Sequence, residues 1–156
     1  MGVRRVTTDH GTGPAVDEFF SSSSRELDAL FRASPPGEIP DGEMRGSVLL
    51  FPGTPLARLV ARVAYPLAWQ GKVLDRAGGE LKNRVTPLRL RAIRARVFPG
   101  DSWVDQAPCV VIDYSRTSWI ARPVRDEIRL VAPGVYLGVV WLWRRRVARF
   151  LLRVPH

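Results

Sequence analysis

Cysteine and histidine are almost absent from the 156 residues. The single thiol, Cys109, cannot form an intrachain disulfide, a zinc ribbon or an iron–sulfur cluster, and it favours a reduced, cytoplasmic compartment. His10 lies near the N-terminus and His156 is the last residue, so we expect neither in the core. A Ser-His-Asp triad or a histidine-rich metal site would need at least one of them there. The sequence therefore predicts no metal and no cofactor.

Long apolar runs and phosphate-binding motifs are also missing. The longest apolar stretch, residues 130–143, is interrupted by Pro133, Gly134 and Gly138 and is too short for a spanning helix. The first residues lack the apolar segment of a secretion signal. No GxxxxGK[ST] motif and no strand-linked GxGxxG motif occurs, so the sequence gives no support for nucleotide binding.

Positive charge is the first feature that is abundant. The formal net charge is +9, and Lys72 and Lys82 are the only lysines among 24 basic residues. Such a charge raises the hypothesis of nucleic-acid binding, but no recognition motif accompanies it, so we do not expect a nucleic-acid partner. The simpler interpretation is a globular domain with an arginine-studded exterior.

Apolar spacing predicts a disordered tail over residues 1–13 and one domain over residues 14–156. A helix is expected to begin near Pro14 and to run through Phe31, although four consecutive serines weaken its middle. A second helix is predicted near residues 54–66, with Thr54 as its N-cap.

The rest of the sequence alternates between short apolar segments and turn residues, a pattern typical of an all-β sandwich or barrel. The predicted strands are residues 43–51, 69–75, 80–85, 90–98, 109–115, 124–131, 135–143 and 147–154. Turns are expected at AGGE, FPGD, APG and the arginine run after Trp143. Eight strands can close into a barrel that holds either packed side chains or one small ligand.

Two short motifs resemble those of a known family. Residues 42–46 read GEMRG, with the spacing of a G-x-W-x-G element and Met44 in the tryptophan position, and Trp69 begins a W-x-G-K element. Farther on, Tyr114, residues 125–127 and residues 137–138 are similar in order and spacing to a C-terminal partner domain. The sequence thus resembles the uncharacterised bacterial GXWXG-type family over roughly residues 42–153. The resemblance implies a mainly β, calycin- or lipocalin-like antiparallel barrel, and no activity.

Two carboxylates are candidate acid–base groups. Asp126 shares a strand face with apolar residues, while Arg125 and Glu127 lie on the other face. If the apolar face points inward, burial favours the protonated acid, whereas an arginine such as Arg122 would favour the carboxylate. A structural Asp–Arg pair is the alternative interpretation.

The strand before Ser115 carries the second carboxylate. Asp113 and Tyr114 alternate there, so at most one of them can face the interior. Tyrosine at such a position is more often a core residue than a proton donor.

These residues lead to the hypothesis that the barrel binds a hydrophobic small molecule of acyl, polyketide or isoprenoid type that can carry an anionic group. Cofactor-independent isomerase or cyclase chemistry and binding without chemistry are both open. The candidate catalytic residues are Asp126 and Asp113. The candidate ligand-binding residues are Arg122, Arg125, Tyr114, Lys72, Trp69, Trp119 and Tyr136.

A second hypothesis concerns the segment from Trp141 to Arg146. Indoles and arginines at a hairpin tip would suit a peripheral protein that binds an anionic membrane surface. A strand followed by a solvated turn is the simpler alternative. A homodimer is compatible with the sequence, which does not determine the oligomeric state.

Overall fold

The structure of the protein is a computed structural model that describes residues 16–49, 72–83, 94–117 and 121–155. The tail over residues 1–13, the predicted helix near residues 54–66, Trp69 and Trp119 fall outside these ranges. Within the described residues the chain is mainly β, with two short helices, α1 (Val16–Ser21) and α2 (Ser24–Ala33).

Eight antiparallel strands form a closed barrel in which each strand pairs with the next in sequence and the last pairs with the first. They are β1 (Gly42–Leu49), β2 (Lys72–Asp75), β3 (Glu80–Asn83), β4 (Arg94–Asp101), β5 (Pro108–Asp113), β6 (Val124–Ala132), β7 (Val135–Leu142) and β8 (Arg145–Arg153). The predicted calycin-like antiparallel barrel with few helices is confirmed.

The two ends of the barrel differ in which strands are joined there. At the end that we call the upper end, β5 is connected to β6 and β7 to β8. At the lower end β2 is connected to β3, β4 to β5 and β6 to β7. The chain enters β1 at the lower end, directly after the segment formed by residues 34–41.

The main core fills the barrel interior, and every strand contributes to it because side chains alternate between the two faces of a strand. Its strand members are Met44, Leu74, Leu81, Ala95, Val97, Val110, Ile112, Ile128, Tyr136, Phe150 and Leu152. Tyr114 and Ala121, from the connection between β5 and β6, complete it.

The two helices cover part of the outer surface of the barrel. Ser23 caps α2 reciprocally: its hydroxyl accepts from the Glu26 N–H, and its own N–H donates to the Glu26 carboxylate. The serine run therefore separates two helices, and the prediction of one continuous helix is wrong. Phe19, Leu27 and Phe31 are buried against the outward side chains of β7 and β8.

This cover changes the expected character of the outer face. Arg94 and Arg96 are exposed opposite the buried Ala95, as predicted. The expectation of an arginine-studded exterior does not hold for Arg149, which is 1% exposed because its guanidinium binds Asp28 of α2. Alternation correctly separated the two faces of β8 but could not show that a helix covers one of them.

The sequence FPGD was predicted to form a turn and instead forms the end of β4. Pro99 lies opposite Val110, and Gly100 lies opposite Cys109. The connection to β5 consists of residues 102–107, which fold back over the outside of the sheet: the Trp103 N–H donates to the Glu127 carboxylate of β6 at 2.9 Å. This fold-back gives the outer face of β5 and β6 a second cover.

Candidate functional site

A carboxylate and a phenol meet inside the upper part of the barrel. The Tyr114 hydroxyl donates to Oδ2 of Asp126 at 3.4 Å, and the two residues are 4% and 3% exposed. The strand partners of Asp126 are apolar, since it lies opposite Ile112 of β5 and Val140 of β7. The structure thus places a long polar contact beside apolar side chains of the main core.

The strands and a turn fix the positions of these two side chains. Asp126 faces inward because it alternates with Arg125 and Glu127, whose side chains meet on the outside. Tyr114 follows β5 directly; its N–H donates to the Val124 carbonyl, and its own carbonyl accepts from Thr117 in the turn that follows. The interior acid and the interior phenol are therefore held from neighbouring strands, β6 and β5.

Much of the interior around this pair is filled by the protein itself. Leu81, Ala95, Ile128 and Leu152 are completely buried, so no water-sized space borders them. In contrast, two neighbours of Asp126 are only partly buried. Val124 lies two residues before it in β6, and Val140 lies opposite it in β7. A guest beside Asp126 would therefore contact Val124 and Val140 rather than these four residues.

The segment formed by residues 34–41 closes the lower end. The Leu130 N–H donates to the Pro35 carbonyl at 3.0 Å, and the Tyr136 hydroxyl donates to the Glu38 carbonyl at 2.8 Å. Gly37 has a φ of +69°, and a Cβ there would lie 2.7 Å from the Leu130 Cβ, so this closure requires glycine. Burial raises the pKa of Tyr136 above its ordinary value.

Most of the other predicted site residues are not gathered around Asp126. Asp113 lies on the outer face of β5, where its carboxylate accepts from the N–H and hydroxyl of Ser115 at 2.9 Å. Arg122 is exposed. Arg125 is on the outside, where its Nε donates to Glu127 at 3.0 Å and its Nη2 to the Asp101 carbonyl.

The remaining predicted ligand contacts are distributed differently. Tyr136 is inside the barrel but at its lower end, hydrogen-bonded to the closing segment. Lys72 begins β2, with its backbone opposite Met44 and Asn83. Trp69 and Trp119 belong to the residues that the structure does not describe. Of the predicted set, the structure brings together Asp126 and Tyr114.

Sequence reasoning did not anticipate a polar network on the outer face. Glu127 is fully buried there and accepts from the Ser102 hydroxyl at 2.6 Å, the Trp103 N–H at 2.9 Å and Arg125. Burial, followed by the nearby Glu127 carboxylate, raises the pKa of the Cys109 thiol to about 12, so this thiol is protonated and unreactive. The network attaches the connection 102–107 to the barrel.

A second outer contact attaches α2. Arg129 is 1% exposed; it donates to both oxygens of Asp105, at 2.8 and 2.6 Å, and to the Phe31 carbonyl at 3.0 Å. Its guanidinium also stacks on the Phe31 ring, with Cζ 4.5 Å from the centroid. The bidentate hydrogen bond holds the pKa of Asp105 below its ordinary value. These contacts are structural and lie outside the barrel interior.

Metal ligands and membrane-spanning helices were searched for within the four described ranges. They contain no group of three or more His, Cys, Asp or Glu side chains placed to hold a metal ion. Over the same ranges, none of the helices combines the length and the apolar character needed to cross a bilayer.

Comparisons with known proteins bear on the fold. No family model matches the sequence, so the resemblance to the GXWXG-type family stays a prediction, and no curated protein matches it. A solved structure of a protein from Thermomonospora curvata is similar, with a TM-score of 0.61 over 86% of this chain and 89% of that chain. The two sequences are 16% identical. This similarity shows that the protein shares its fold with the Thermomonospora curvata protein, and it shows the fold alone.

Proposed function

We propose that the protein binds a hydrophobic small molecule in the upper part of the barrel, with the polar end of the molecule held by Asp126 and Tyr114. The observation that carries this proposal is the 3.4 Å contact between these two side chains inside an apolar interior. Ligand sites in β-barrels are mostly apolar and contain a few convergent polar groups near the barrel mouth.

The length of this contact is the feature that a ligand could use. A hydroxyl donor at 3.4 Å is longer than the ~2.5 to 3.0 Å of a good O–H···O hydrogen bond. A ligand hydroxyl or carbonyl placed between the two side chains would make shorter contacts with both.

The positions of the arginines favour a neutral polar group on the ligand. Arg122 is exposed and Arg125 is bound to Glu127 on the outer face, so the two arginines expected to hold an anionic group do not face Asp126. An acyl, polyketide or isoprenoid compound with a terminal alcohol or ketone would need neither of these two arginines.

Acid–base chemistry is the catalytic form of the same proposal. The Asp126 carboxylate would remove a proton from the carbon next to a ligand carbonyl, while the Tyr114 hydroxyl donates a hydrogen bond to the carbonyl oxygen as it gains negative charge. Where the ligand has a β,γ double bond, return of that proton to the γ-carbon of the resulting dienolate gives the conjugated isomer, so no oxidant, reductant or cofactor is needed. Without this step the same site acts as a carrier.

Binding is tested by competition between farnesol and a fluorescent apolar probe, N-phenyl-1-naphthylamine. We expect farnesol to displace the probe from the wild-type protein and to bind about 3- to 10-fold more weakly to Tyr114→Phe, the effect of one lost hydrogen bond. Tyr136→Phe is the matched control, because it removes the same hydroxyl from the lower end of the barrel. Equal affinities in the two variants would contradict the proposed site.

Catalysis is tested separately, by deuterium exchange into an apolar ketone such as geranylacetone in heavy water. Exchange that the wild-type protein accelerates and that Asp126→Asn does not accelerate would support the acid–base role. Farnesol binding without any exchange would assign the protein as a carrier.

A further inference from the structure

The hairpin turn between β7 and β8 has an unusual composition. Trp143 and Arg144 form the turn with φ values of 46° and 62°. Two positive φ angles are normally supplied by Asn, Asp or Gly, because a larger side chain in this conformation strains the backbone. The Trp143 side chain is also 71% exposed to solvent. Tryptophan is therefore unfavourable at this position both for the backbone conformation and for exposure to water.

The turn is nevertheless firmly held. The Trp143 N–H donates to the Pro123 carbonyl at 3.1 Å, which joins the turn to the connection between β5 and β6. The Arg144 guanidinium stacks on the Trp103 ring, with Cζ 4.4 Å from the centroid. The fixed backbone therefore presents the indole of Trp143 outward at the upper end of the barrel.

Two residues of the segment first considered as a membrane-binding tip are not available for this role. Trp141 packs edge-on against Trp103 with the ring centroids 5.6 Å apart, and Arg146 donates to both carboxylate oxygens of Asp28. The outward-facing part is reduced to Trp143 and its neighbours Arg144 and Arg145.

Positive charge surrounds the exposed indole. The described residues of the β5–β6 and β7–β8 connections, 114–117 with 121–123 and 143–144, include Arg116, Arg122 and Arg144. The carboxylate of Asp113, which ends β5 beside them, accepts from Ser115. Arg145 begins β8 beside them, and Arg94 begins β4, where its carbonyl accepts from the Thr117 hydroxyl. All five of these arginine side chains are exposed.

The opposite end of the barrel carries acidic side chains. Glu38 and Asp41 lie in the closing segment, Asp75 ends β2 and Asp101 ends β4; all four are exposed. Exposed arginines are also present at the lower end, namely Arg45, Arg76 and Arg153. In the described part of the barrel, positive charge is therefore in excess at the upper end and is balanced by carboxylates at the lower end.

We propose that the upper end of the barrel docks on an anionic lipid bilayer, with the Trp143 indole in the interface and the surrounding arginines against the headgroups. Indoles prefer the boundary between lipid and water, and each cation near an anionic surface adds to the attraction. This arrangement places the upper end of the barrel against the bilayer, from which the protein could take up an apolar ligand. Docking does not depend on the proposed ligand site, since a protein with an unoccupied interior presents the same surface.

The test is cosedimentation of the full chain with phosphatidylcholine vesicles, with and without phosphatidylserine, at low ionic strength. We expect binding only to the vesicles that contain phosphatidylserine, with release at high salt. Trp143→Asn places a favoured turn residue in the strained position, so its melting temperature should not fall, whereas its partitioning should weaken about tenfold through loss of a large apolar side chain. An equal partition coefficient for Trp143→Asn and wild type would overturn the proposal.

A pair of double variants tests the polarity of charge. Replacing Arg122 and Arg145 by glutamine should weaken vesicle binding about 30-fold, since each cation near the surface contributes roughly fivefold. The matched control replaces Arg45 and Arg153, which are exposed, face each other across β1 and β8 near the lower end, and change the net charge by the same amount. Equal losses in the two double variants would indicate non-specific attraction and would overturn the docking surface. If the protein binds farnesol normally but does not cosediment with vesicles, the docking proposal fails while the proposed ligand site stands.

Discussion

The ring of Phe150 occupies the space above Gly138, its cross-strand partner in the barrel interior. A Cβ at position 138 would lie 2.2 Å from the Phe150 Cζ, closer than any real contact allows. Glycine is required in β7 because the phenyl ring of β8 fills the barrel at this level. The pair forms part of the packed layer that separates the candidate site from the closed lower end.

Gly138→Ala should therefore destabilise the protein by about 3 kcal/mol, the upper part of the range for overpacking a core. Removal of the ring should relieve the clash, so the same substitution should cost much less in a Phe150→Leu background. Urea unfolding of the two single variants and the double variant measures this coupling. Additive losses would show that the ring does not occupy this space.

Two arginines on the outer face provide a contrast between a buried and a half-exposed ion pair. Arg129 is enclosed between Asp105 and Phe31, so Arg129→Ala removes its hydrogen bonds to the Asp105 carboxylate and to three carbonyls and should cost about 3–5 kcal/mol. Arg146, whose side chain is 32% exposed, also donates to both oxygens of one carboxylate, that of Asp28. Arg146→Ala should cost less than about 1 kcal/mol by the same measurement.

The same outer contact predicts how stability depends on pH. Hydrogen bonding to Arg129 lowers the pKa of Asp105 in the folded state from its ordinary value of 3.8. The contribution of Asp105 is therefore fully present above the unfolded-state pKa and is lost as the pH falls through the lower, folded-state pKa. Unfolding free energies should show the largest difference between wild type and Asp105→Asn at neutral pH. A difference that persists unchanged well below 3.8 would contradict this assignment.

Local sequence patterns determined the barrel because alternation reflects a property of each strand by itself. Along β4, Ala95 and Val97 are buried and Arg94 and Arg96 are exposed, as their order predicts. The same alternation placed Asp126 with Ile128 on one face and Glu127 with Arg129 on the other. It made Asp126 one of two candidates for an interior acid, beside Asp113.

Contacts over long sequence distances could not be predicted in this way. Arg149 and Asp28 are far apart in sequence, so nothing near Arg149 indicates that α2 covers it. Glu127 is buried because residues 102–107 fold back over the sheet, and the direction of a connecting segment leaves no periodic signal. Asp113 was a candidate for the interior until the position of Tyr114 showed which face of β5 points inward.

Methyl NMR during titration with farnesol tests most directly whether the upper barrel interior is a ligand site. The account predicts that the methyl resonances of Val124 and Val140 shift as farnesol is added, while those of the completely buried Leu81 and Leu152 stay in place. Asp126→Asn should reduce the size of these shifts at the same farnesol concentration. Unchanged spectra for the upper methyl groups, or shifts confined to outer residues such as Leu137 and Val139, would contradict the account.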